Sequence, residues 1–234
     1  MPTEFDLIFD EFNAELDALQ EMAASPNPAA GTVTSPRVRI AAGNGATLLL
    51  AAIFEEFVRQ QVRAAFRQQV DRATSINDFP ERIASAVWRR SLEALARTSF
   101  SEIESNTRQV DEQIAAVTAF CLKKEIRADI GESISHNEGN MRTSQINGLF
   151  NVIGITGISA VTATNRGVID YLGCDGPGNA PKELTSRIDD FFRRRNAIAH
   201  AIKLASSSGP SELQQDIQLF RIFGRALSEK LGEV

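Results

Sequence analysis

The sequence predicts an all-α protein, and three observations support this fold class. Apolar residues recur at spacings of three and four along most of the chain. Prolines and serines stand where helices would begin, and segments rich in glycine separate the apolar stretches. The one stretch rich in β-branched residues, 149–161, has no partner run with which a strand could pair. We therefore expect a helical bundle with an extra helix at the N-terminus.

Composition sets limits on the class of protein. With 234 residues, 43% of them hydrophobic, the chain is long enough for one large domain or a domain with an appendage. The net charge of -5 argues against nucleic-acid binding over the whole surface, so any contact with a polyanion should be local. The N-terminus is acidic and does not resemble a secretory signal, and no apolar run approaches the length of a membrane span. We expect a cytoplasmic protein that does not contact membranes.

The two cysteines, Cys121 and Cys174, lie far apart and have no metal-ligand spacing. We expect both to be reduced thiols, with no zinc site and no disulfide framework. No cluster of carboxylates and histidines at ligand spacing stands elsewhere in the sequence. The sequence thus indicates neither a metal nor another cofactor.

The first 45 residues divide into a helix and a linker. An N-terminal amphipathic helix is predicted within 1–24, because the apolar residues of 4–22 form one stripe that needs a partner surface. These residues are Phe5, Ile8, Phe9, Phe12, Leu16 and Leu19. Residues 25–45 contain three prolines and three glycines and show no helical period, so we predict a linker with a short extended piece at 38–40. The remaining residues, 46–234, are predicted to form the helical bundle domain.

Within the bundle, a long helix over 46–70 is apolar nearly all round in its first half, which suits the centre of a bundle. The next helix starts near Pro80, and another is predicted over 109–130. Residues 136–148 are polar and are predicted to be a loop, followed by a helix that ends near Gly154. The last predicted helices span 168–172, 181–205 and 211–231, the final one capped by Ser211.

The segment FFRRRNAIAHAI on the 181–205 helix carries the chemistry. Ile188, Arg195 and Ile202 are spaced by seven residues, so Arg195 lies within the apolar stripe and cannot be freely solvated. Asn196 and His200 are four residues apart and share a neighbouring line. Arginine supplies a fixed cation, asparagine an amide, and histidine a base that titrates near neutrality. These groups suffice to cleave RNA without a metal. A solvated basic face with a hydrogen-bonded histidine explains the same pattern.

The stretch RNAIAH, Arg195 to His200, resembles the signature of the HEPN superfamily, an arginine, a polar residue, three variable residues and a histidine. The helix over 48–62 is similar to the early helix of the RiboL-PSP branch of that superfamily. The resemblance covers about 46–231 and leaves the N-terminal helix and linker outside it. It implies a metal-independent endoribonuclease of a toxin-antitoxin or antiphage system, with an antitoxin or defence-system partner.

The resemblance also implies roles for the three site residues. Arg195 would hold the scissile phosphate, and His200 would take the proton of the ribose 2′-hydroxyl or protonate the leaving 5′-oxygen. Asn196 would orient the imidazole or bind phosphate. The expected products are a 2′,3′-cyclic phosphate and a 5′-hydroxyl, and DNA should be inert because it lacks the 2′-hydroxyl.

Helix geometry adds the expectation of a homodimer. Five residues rotate about 500° on an ideal helix, so Arg195 and His200 point about 140° apart and are separated by about 7.5 Å along the axis. Two copies about a twofold axis could combine both groups in one composite active site. Arg193, Arg194 and Lys203 are predicted to follow the RNA backbone, because 182–203 holds six Lys or Arg against three Asp or Glu. Solvated surface charge is the alternative for Arg193 and Arg194.

Two other functions fit the sequence. A noncatalytic HEPN-like module would use the motif only to bind RNA or a partner protein, or to maintain a dimer. A helical scaffold whose N-terminal helix docks a partner would leave the arginines as surface residues. RNA cleavage in the presence of EDTA, lost on substitution of Arg195 or His200, distinguishes the nuclease from both.

Overall fold

The computed structural model describes residues 2–24, 35–97, 99–137, 139–200 and 209–233. In that part of the chain the regular secondary structure is helical throughout, which confirms the predicted all-α class. The helices are α1 (Glu4–Ala24), α2 (Pro36–Arg72), α3 (Ile83–Arg97), α4 (Phe100–Ser105), α5 (Thr107–Cys121), α6 (Gly131–Ser135), α7 (Thr143–Val152), α8 (Ile158–Ala163), α9 (Arg166–Leu172), α10 (Ala180–Ala199) and α11 (Pro210–Gly232). A short 3-10 helix, Ile76–Asp78, follows α2.

Helix α2 begins earlier than the sequence predicts. The Ser35 hydroxyl accepts a hydrogen bond from the Val38 amide at 3.3 Å, and Pro36 follows as the first helical residue. The linker prediction is therefore wrong from Pro36 onward, and 25–34 lie outside the described residues. Asn44 and Thr47 are buried on this part of α2, so tertiary packing outweighs the low helix propensity of the two nearby glycines.

The chain folds into two compact units, and α2 contributes to both. The first unit comprises 1–58, 140–146 and 158–234, and therefore holds α1, the first part of α2, and α8 to α11. Its core is aromatic: Phe54 stacks on Phe220 and Phe12 on Phe57, each with ring centroids 4.1 Å apart. Phe54 also lies 6.4 Å from Phe192, which anchors α10 to this core.

Helix α1 is part of that core. Its apolar stripe packs against α11, where Gly224 lets the ring of Phe12 approach the helix backbone. Arg221 of α11 bonds to the Asn13 side chain and donates to the Asp17 carboxylate at 2.7 Å. The partner surface that the sequence requires for α1 is thus supplied by its own chain.

The second unit comprises 59–139 and 147–157. Three rings, Phe66, Phe79 and Phe120, meet in its core with centroids 5.6 to 6.3 Å apart. The guanidinium of Arg90 donates to the carbonyl oxygens of Ile134 and Gly148, at 2.5 and 3.4 Å, and so joins α3, α6 and α7. The Ile134 carbonyl, in the last turn of α6, thereby receives a partner within the unit.

Two element boundaries of this region differ from the prediction. The helix predicted over 109–130 ends at Cys121, where Lys124 adopts a left-handed backbone (φ 64°) and its ammonium caps the Cys121 carbonyl at 2.7 Å. The loop predicted over 136–148 becomes helix α7 at Thr143. The predicted helix end near Gly154 is confirmed, because α7 ends at Val152 and Gly154 has φ 86°.

By length and composition α2 could cross a membrane, which the sequence-based expectation had not anticipated. Core helices of soluble proteins can be equally long and apolar. One side of α2 lies in the aromatic core described above.

Candidate functional site

Helix α10 carries the predicted motif at its C-terminal end. It starts with Pro181 in the first turn and packs Leu184, Ile188 and Phe191 into the core of the first unit. Contacts with α8 and α9 fix its position. The helix ends at Ala199, so His200 is the C-terminal cap and lies at the end of regular structure. The prediction that the helix continues to 205 falls on 201–208, outside the described residues.

Arg195 lies at the edge of the packed face, as its spacing from Ile188 predicts. Its side chain is half-buried, and its Nη1 donates to the Asn196 Oδ1 at 3.3 Å. The Nε atom is buried and has no acceptor among the described residues. Because buried donors are nearly always satisfied in proteins, this guanidinium is suited to an added anionic acceptor.

Phe192, Asn196 and His200 follow one another at steps of four residues, and their exposure to solvent increases toward the end of α10. Phe192 is fully buried, Asn196 is half-buried and His200 is exposed. The His200 backbone amide donates to the Asn196 carbonyl at 3.1 Å, which fixes the cap. The hydrogen bond from Arg195 to Asn196 therefore draws the guanidinium toward the side of the helix on which His200 ends.

The flanking arginines have different environments. Arg193 is exposed and forms a 2.5 Å ion pair with Asp190 one turn earlier. Arg194 instead points at α11, where its Nη2 donates to both oxygens of Asp216 at 2.7 Å and its Nε lies 3.2 Å from Glu212. Arg194 thus joins α10 to α11, and this geometry does not present its guanidinium to RNA. Lys203 lies outside the described residues.

The chain matches one known protein family over nearly its whole length. A family model described as RiboL-PSP-HEPN matches residues 5–233. The chain belongs to the RiboL-PSP-HEPN family. No curated protein and no solved structure matches the chain. The family match includes α1, so the expectation that the resemblance begins near residue 46 and leaves the N-terminal helix outside is wrong.

The HEPN superfamily includes ribonucleases, and this RiboL-PSP-HEPN domain places an arginine, an asparagine and a histidine at the end of α10. No group of three or more metal-ligating side chains occurs among the described residues. The arrangement offers a cation, an amide that orients it and an exposed imidazole, and these groups can neutralise a phosphate and transfer a proton.

Asp216 and Glu212, the partners of Arg194, could not be predicted from the sequence. The Asp216 carboxylate is buried, and burial raises its pKa to about 6 even though Arg194 opposes this shift. The only local signal was a pair of acidic residues four apart in the first turns of α11. Nothing in that spacing identifies Arg194 as their partner, because the contact spans 22 residues.

Proposed function

We propose that this RiboL-PSP-HEPN domain is a metal-independent endoribonuclease that cleaves single-stranded RNA through Arg195, Asn196 and His200. The observation that carries the proposal is the hydrogen bond from Arg195 to Asn196, one helical turn before the exposed His200. It couples the cation to the side of α10 that holds the imidazole, and it leaves the buried Arg195 Nε as a donor for a phosphate oxygen.

In the proposed reaction the ribose 2′-oxygen attacks the adjacent phosphorus and the bond from phosphorus to the 5′-oxygen breaks. His200 takes the 2′-hydroxyl proton or delivers a proton to the leaving 5′-oxygen. Arg195 neutralises the charge that develops on the phosphoryl oxygens. Asn196 holds the guanidinium, in keeping with the hydrogen bond between the two side chains. The products are a 2′,3′-cyclic phosphate and a 5′-hydroxyl.

The proposal includes a homodimer with a composite active site. On an ideal helix the side chains of Arg195 and His200 leave the axis in directions about 140° apart. His200 is also the C-terminal cap of α10 and not a residue within the helix. A second copy would bring the missing group to each phosphate. Arg193 and Lys203 are proposed to follow the RNA backbone, and Arg194 is left out because Asp216 holds it. We place the enzyme in the cytoplasm, in a toxin-antitoxin or antiphage system with an antitoxin or defence-system partner.

The test uses purified full-length protein, total RNA and EDTA. We expect cleavage by the wild type, products with 2′,3′-cyclic phosphate ends, and loss of activity in Arg195→Ala and His200→Ala. Arg187→Ala is the matched control, because Arg187 is an exposed arginine of the same helix that pairs only with Glu183 among its described salt bridges. Cleavage that survives both motif substitutions would refute the proposal. RNA binding without cleavage would instead favour the noncatalytic module.

A further inference from the structure

Helices α3 and α5 of the second unit expose four large apolar side chains. Trp88 and Leu92 are one turn apart on α3, Ile114 lies on α5, and Leu122 is the C-terminal cap of α5. Leu122 is 66% exposed, and the other three are 39 to 49% exposed. Trp88 is the single tryptophan of the chain, and tryptophan is a residue type that is highly buried on average. We call these four residues the Trp88 surface.

The packing of α3 against α5 brings these side chains together. The Cys121 thiol, at the end of α5, donates to the Ala84 carbonyl near the start of α3 at 3.3 Å. The two helices are equally long and pack against each other, so this contact makes them antiparallel. Leu92 follows Ala84 by eight residues, or about 12 Å along the axis. Ile114 precedes Cys121 by seven residues, which is two turns, so it lies on the α3 side of α5 at the level of Leu92.

The Trp88 surface lies in a basic part of an acidic protein. The two segments that form it, 82–92 and 113–124, hold five Lys or Arg and no Asp or Glu, whereas the whole chain has a net charge of -5. Arg90 is one of the five, and it donates to carbonyl oxygens inside the unit. The other four are exposed, namely Arg82, Arg89, Lys123 and Lys124. A local group of cations of this kind attracts a polyanion.

Two of these cations stand on either side of the tryptophan. Arg89 is the next residue of α3 and lies about 140° round the helix from Ala84, away from α5. Its ion pair with Glu93 is exposed and 3.7 Å long, so a phosphate can replace the carboxylate. Lys123 lies on the α5 side, directly after the helix cap, and has no salt bridge in the described part of the chain. A base that covers the indole ring of Trp88 therefore has a cation on each side.

We propose that the Trp88 surface binds a single-stranded nucleic acid, with one base stacked on the Trp88 ring and the adjacent phosphates held by Arg89 and Lys123. Proteins that bind single strands combine stacking rings with cations, because every base has a face that stacks and every nucleotide carries a charge. Leu92 and Ile114 extend the apolar surface about one turn beyond the tryptophan and contact the next base. That the bound strand is the substrate RNA rests on the proposed function.

The shape of the surface favours a nucleic acid over a helix of a partner protein. A helix that docks in a groove needs apolar anchors over several turns. The exposed apolar residues of α3 cover a single turn, from Trp88 to Leu92. A flat ring beside exposed cations matches the flat, charged units of a nucleic-acid strand instead.

The fluorescence of Trp88 tests the stacking directly, because no other tryptophan contributes to the emission. The probe is a short single-stranded DNA, whose bases stack like those of RNA but which lacks the 2′-hydroxyl that the proposed cleavage needs. We expect the DNA to quench the emission of the full-length wild type, and inorganic polyphosphate to leave the emission unchanged. Equal quenching by polyphosphate, or no quenching by the DNA, would overturn the proposal.

Anisotropy of the same DNA, carrying a fluorescent label, measures the affinity. Trp88→Ala should weaken binding about 5- to 150-fold, the range for one base stacked on an aromatic side chain. Trp88→Phe should restore most of the affinity, because a ring is still present. Leu7→Ala is the matched control, since Leu7 is an exposed apolar residue of α1 outside the surface. A Trp88→Ala variant that folds, by circular dichroism, and binds like the wild type would overturn the proposal, as would a Trp88→Phe variant as weak as Trp88→Ala.

The salt dependence of binding tests the two cations. Arg89→Ala and Lys123→Ala should each lower the slope of log affinity against log salt by about 0.7 to 1. Arg108→Ala is the control, because Arg108 is an exposed arginine of α5 that points about 120° away from Ile114 and pairs with Glu112. Slopes that do not differ between the control and both cation variants would contradict the assigned phosphate contacts.

Two further measurements separate this inference from its rival and from the proposed nuclease. An acidic amphipathic peptide that binds through Trp88 more tightly than the DNA would assign the surface to a protein helix and overturn the proposal. In RNA cleavage, Trp88→Ala should raise KM by the factor found for binding and leave kcat within about twofold. An unchanged KM would contradict the assignment of the strand as substrate. DNA binding through Trp88 without any RNA cleavage would refute the nuclease and support the binding surface.

Discussion

Arg194 of α10 donates through one nitrogen to both carboxylate oxygens of Asp216 of α11, at 2.7 Å each. Asp216 is buried, and the pair joins the two helices immediately before the residues Arg195 to His200. Glu212, 3.2 Å from the Arg194 Nε, adds a second carboxylate. The contact holds the motif end of α10 against α11. Its loss should therefore lower the free energy of unfolding, and any effect on catalysis should follow from that loss of stability.

Arg194→Ala should destabilise the protein at pH 7. The substitution leaves the buried Asp216 carboxylate without its arginine, and breaking a buried pair in this way costs roughly 2 to 4 kcal/mol. Urea unfolding followed by circular dichroism measures the loss. Arg193→Ala serves as control, because its ion pair with Asp190 is exposed and should contribute less than about 1 kcal/mol. Equal losses for the two variants would contradict a specific role for the Asp216 contact.

Asp216 also makes stability depend on pH. Burial raises its pKa from 3.8 to about 6, so between these values the folded state binds more protons than the unfolded state. The stability from this group is therefore fully present below about pH 3.8 and is lost as the pH rises through about 6. Relative to Asp216→Asn, the free energy of unfolding of the wild type should fall by about 2 kcal/mol between pH 4 and pH 7, because the carboxyl of the unfolded chain is already more than half ionised at pH 4. Parallel pH profiles for the two proteins would refute this prediction.

The helical periodicity of α1 and α10 was sufficient to predict both helices, because each carries an apolar stripe with few interruptions. The start of α2 was missed because Gly43 and Gly45 weaken local helix propensity, and only tertiary contacts of Asn44 and Thr47 reveal why the segment is helical. Local sequence carries no record of such contacts.

In the candidate site, too, some features are visible in the local sequence and others depend on tertiary contacts. Spacing and residue type were enough to select Arg195, Asn196 and His200 as candidates, since all three lie within six residues of the sequence at the end of α10. The environment of Arg194 could not, because three adjacent arginines look alike in sequence while α11 selects one of them through Asp216. The same holds for α1, whose stripe predicted a partner surface but not that α11 would supply it.

Gly224→Ala should destabilise the first unit. A Cβ atom at this position would come within 2.9 Å of Phe12 and 3.3 Å of Phe57, whose rings are stacked and have little room to move. Overpacking of this kind costs about 1 to 3 kcal/mol, which exceeds the gain in helix propensity. Gly148→Ala is the control, since nothing lies within 4 Å of its Cβ position and about 0.5 to 1 kcal/mol should be gained. Thermal unfolding that ranks Gly224→Ala above the wild type would contradict the packing.

Leu16→Ala should show that α1 belongs to the folded core. Leu16 is fully buried, and removal of a buried leucine side chain costs about 2 to 5 kcal/mol. Leu7→Ala on the same helix is the control, because Leu7 is exposed and should change stability by less than about 0.5 kcal/mol. The midpoints of urea unfolding provide the comparison. If Leu16→Ala were as stable as Leu7→Ala, α1 would not contribute to the core as the structure indicates.

Arg193→Ala should weaken RNA binding with little dependence on sequence. Arg193 is the exposed member of the three adjacent arginines, so it is free to exchange Asp190 for a phosphate. Loss of one phosphate contact should lower the slope of log affinity against log salt by about 1. The slope is measured by fluorescence anisotropy of a labelled single-stranded RNA from low to moderate salt. All proteins in this measurement carry His200→Ala, which prevents cleavage of the RNA during the titration. Arg187→Ala should leave the slope unchanged, because Arg187 points about 120° away from Arg193 on α10. Equal slopes for the Arg193 and Arg187 variants would place the RNA on another surface.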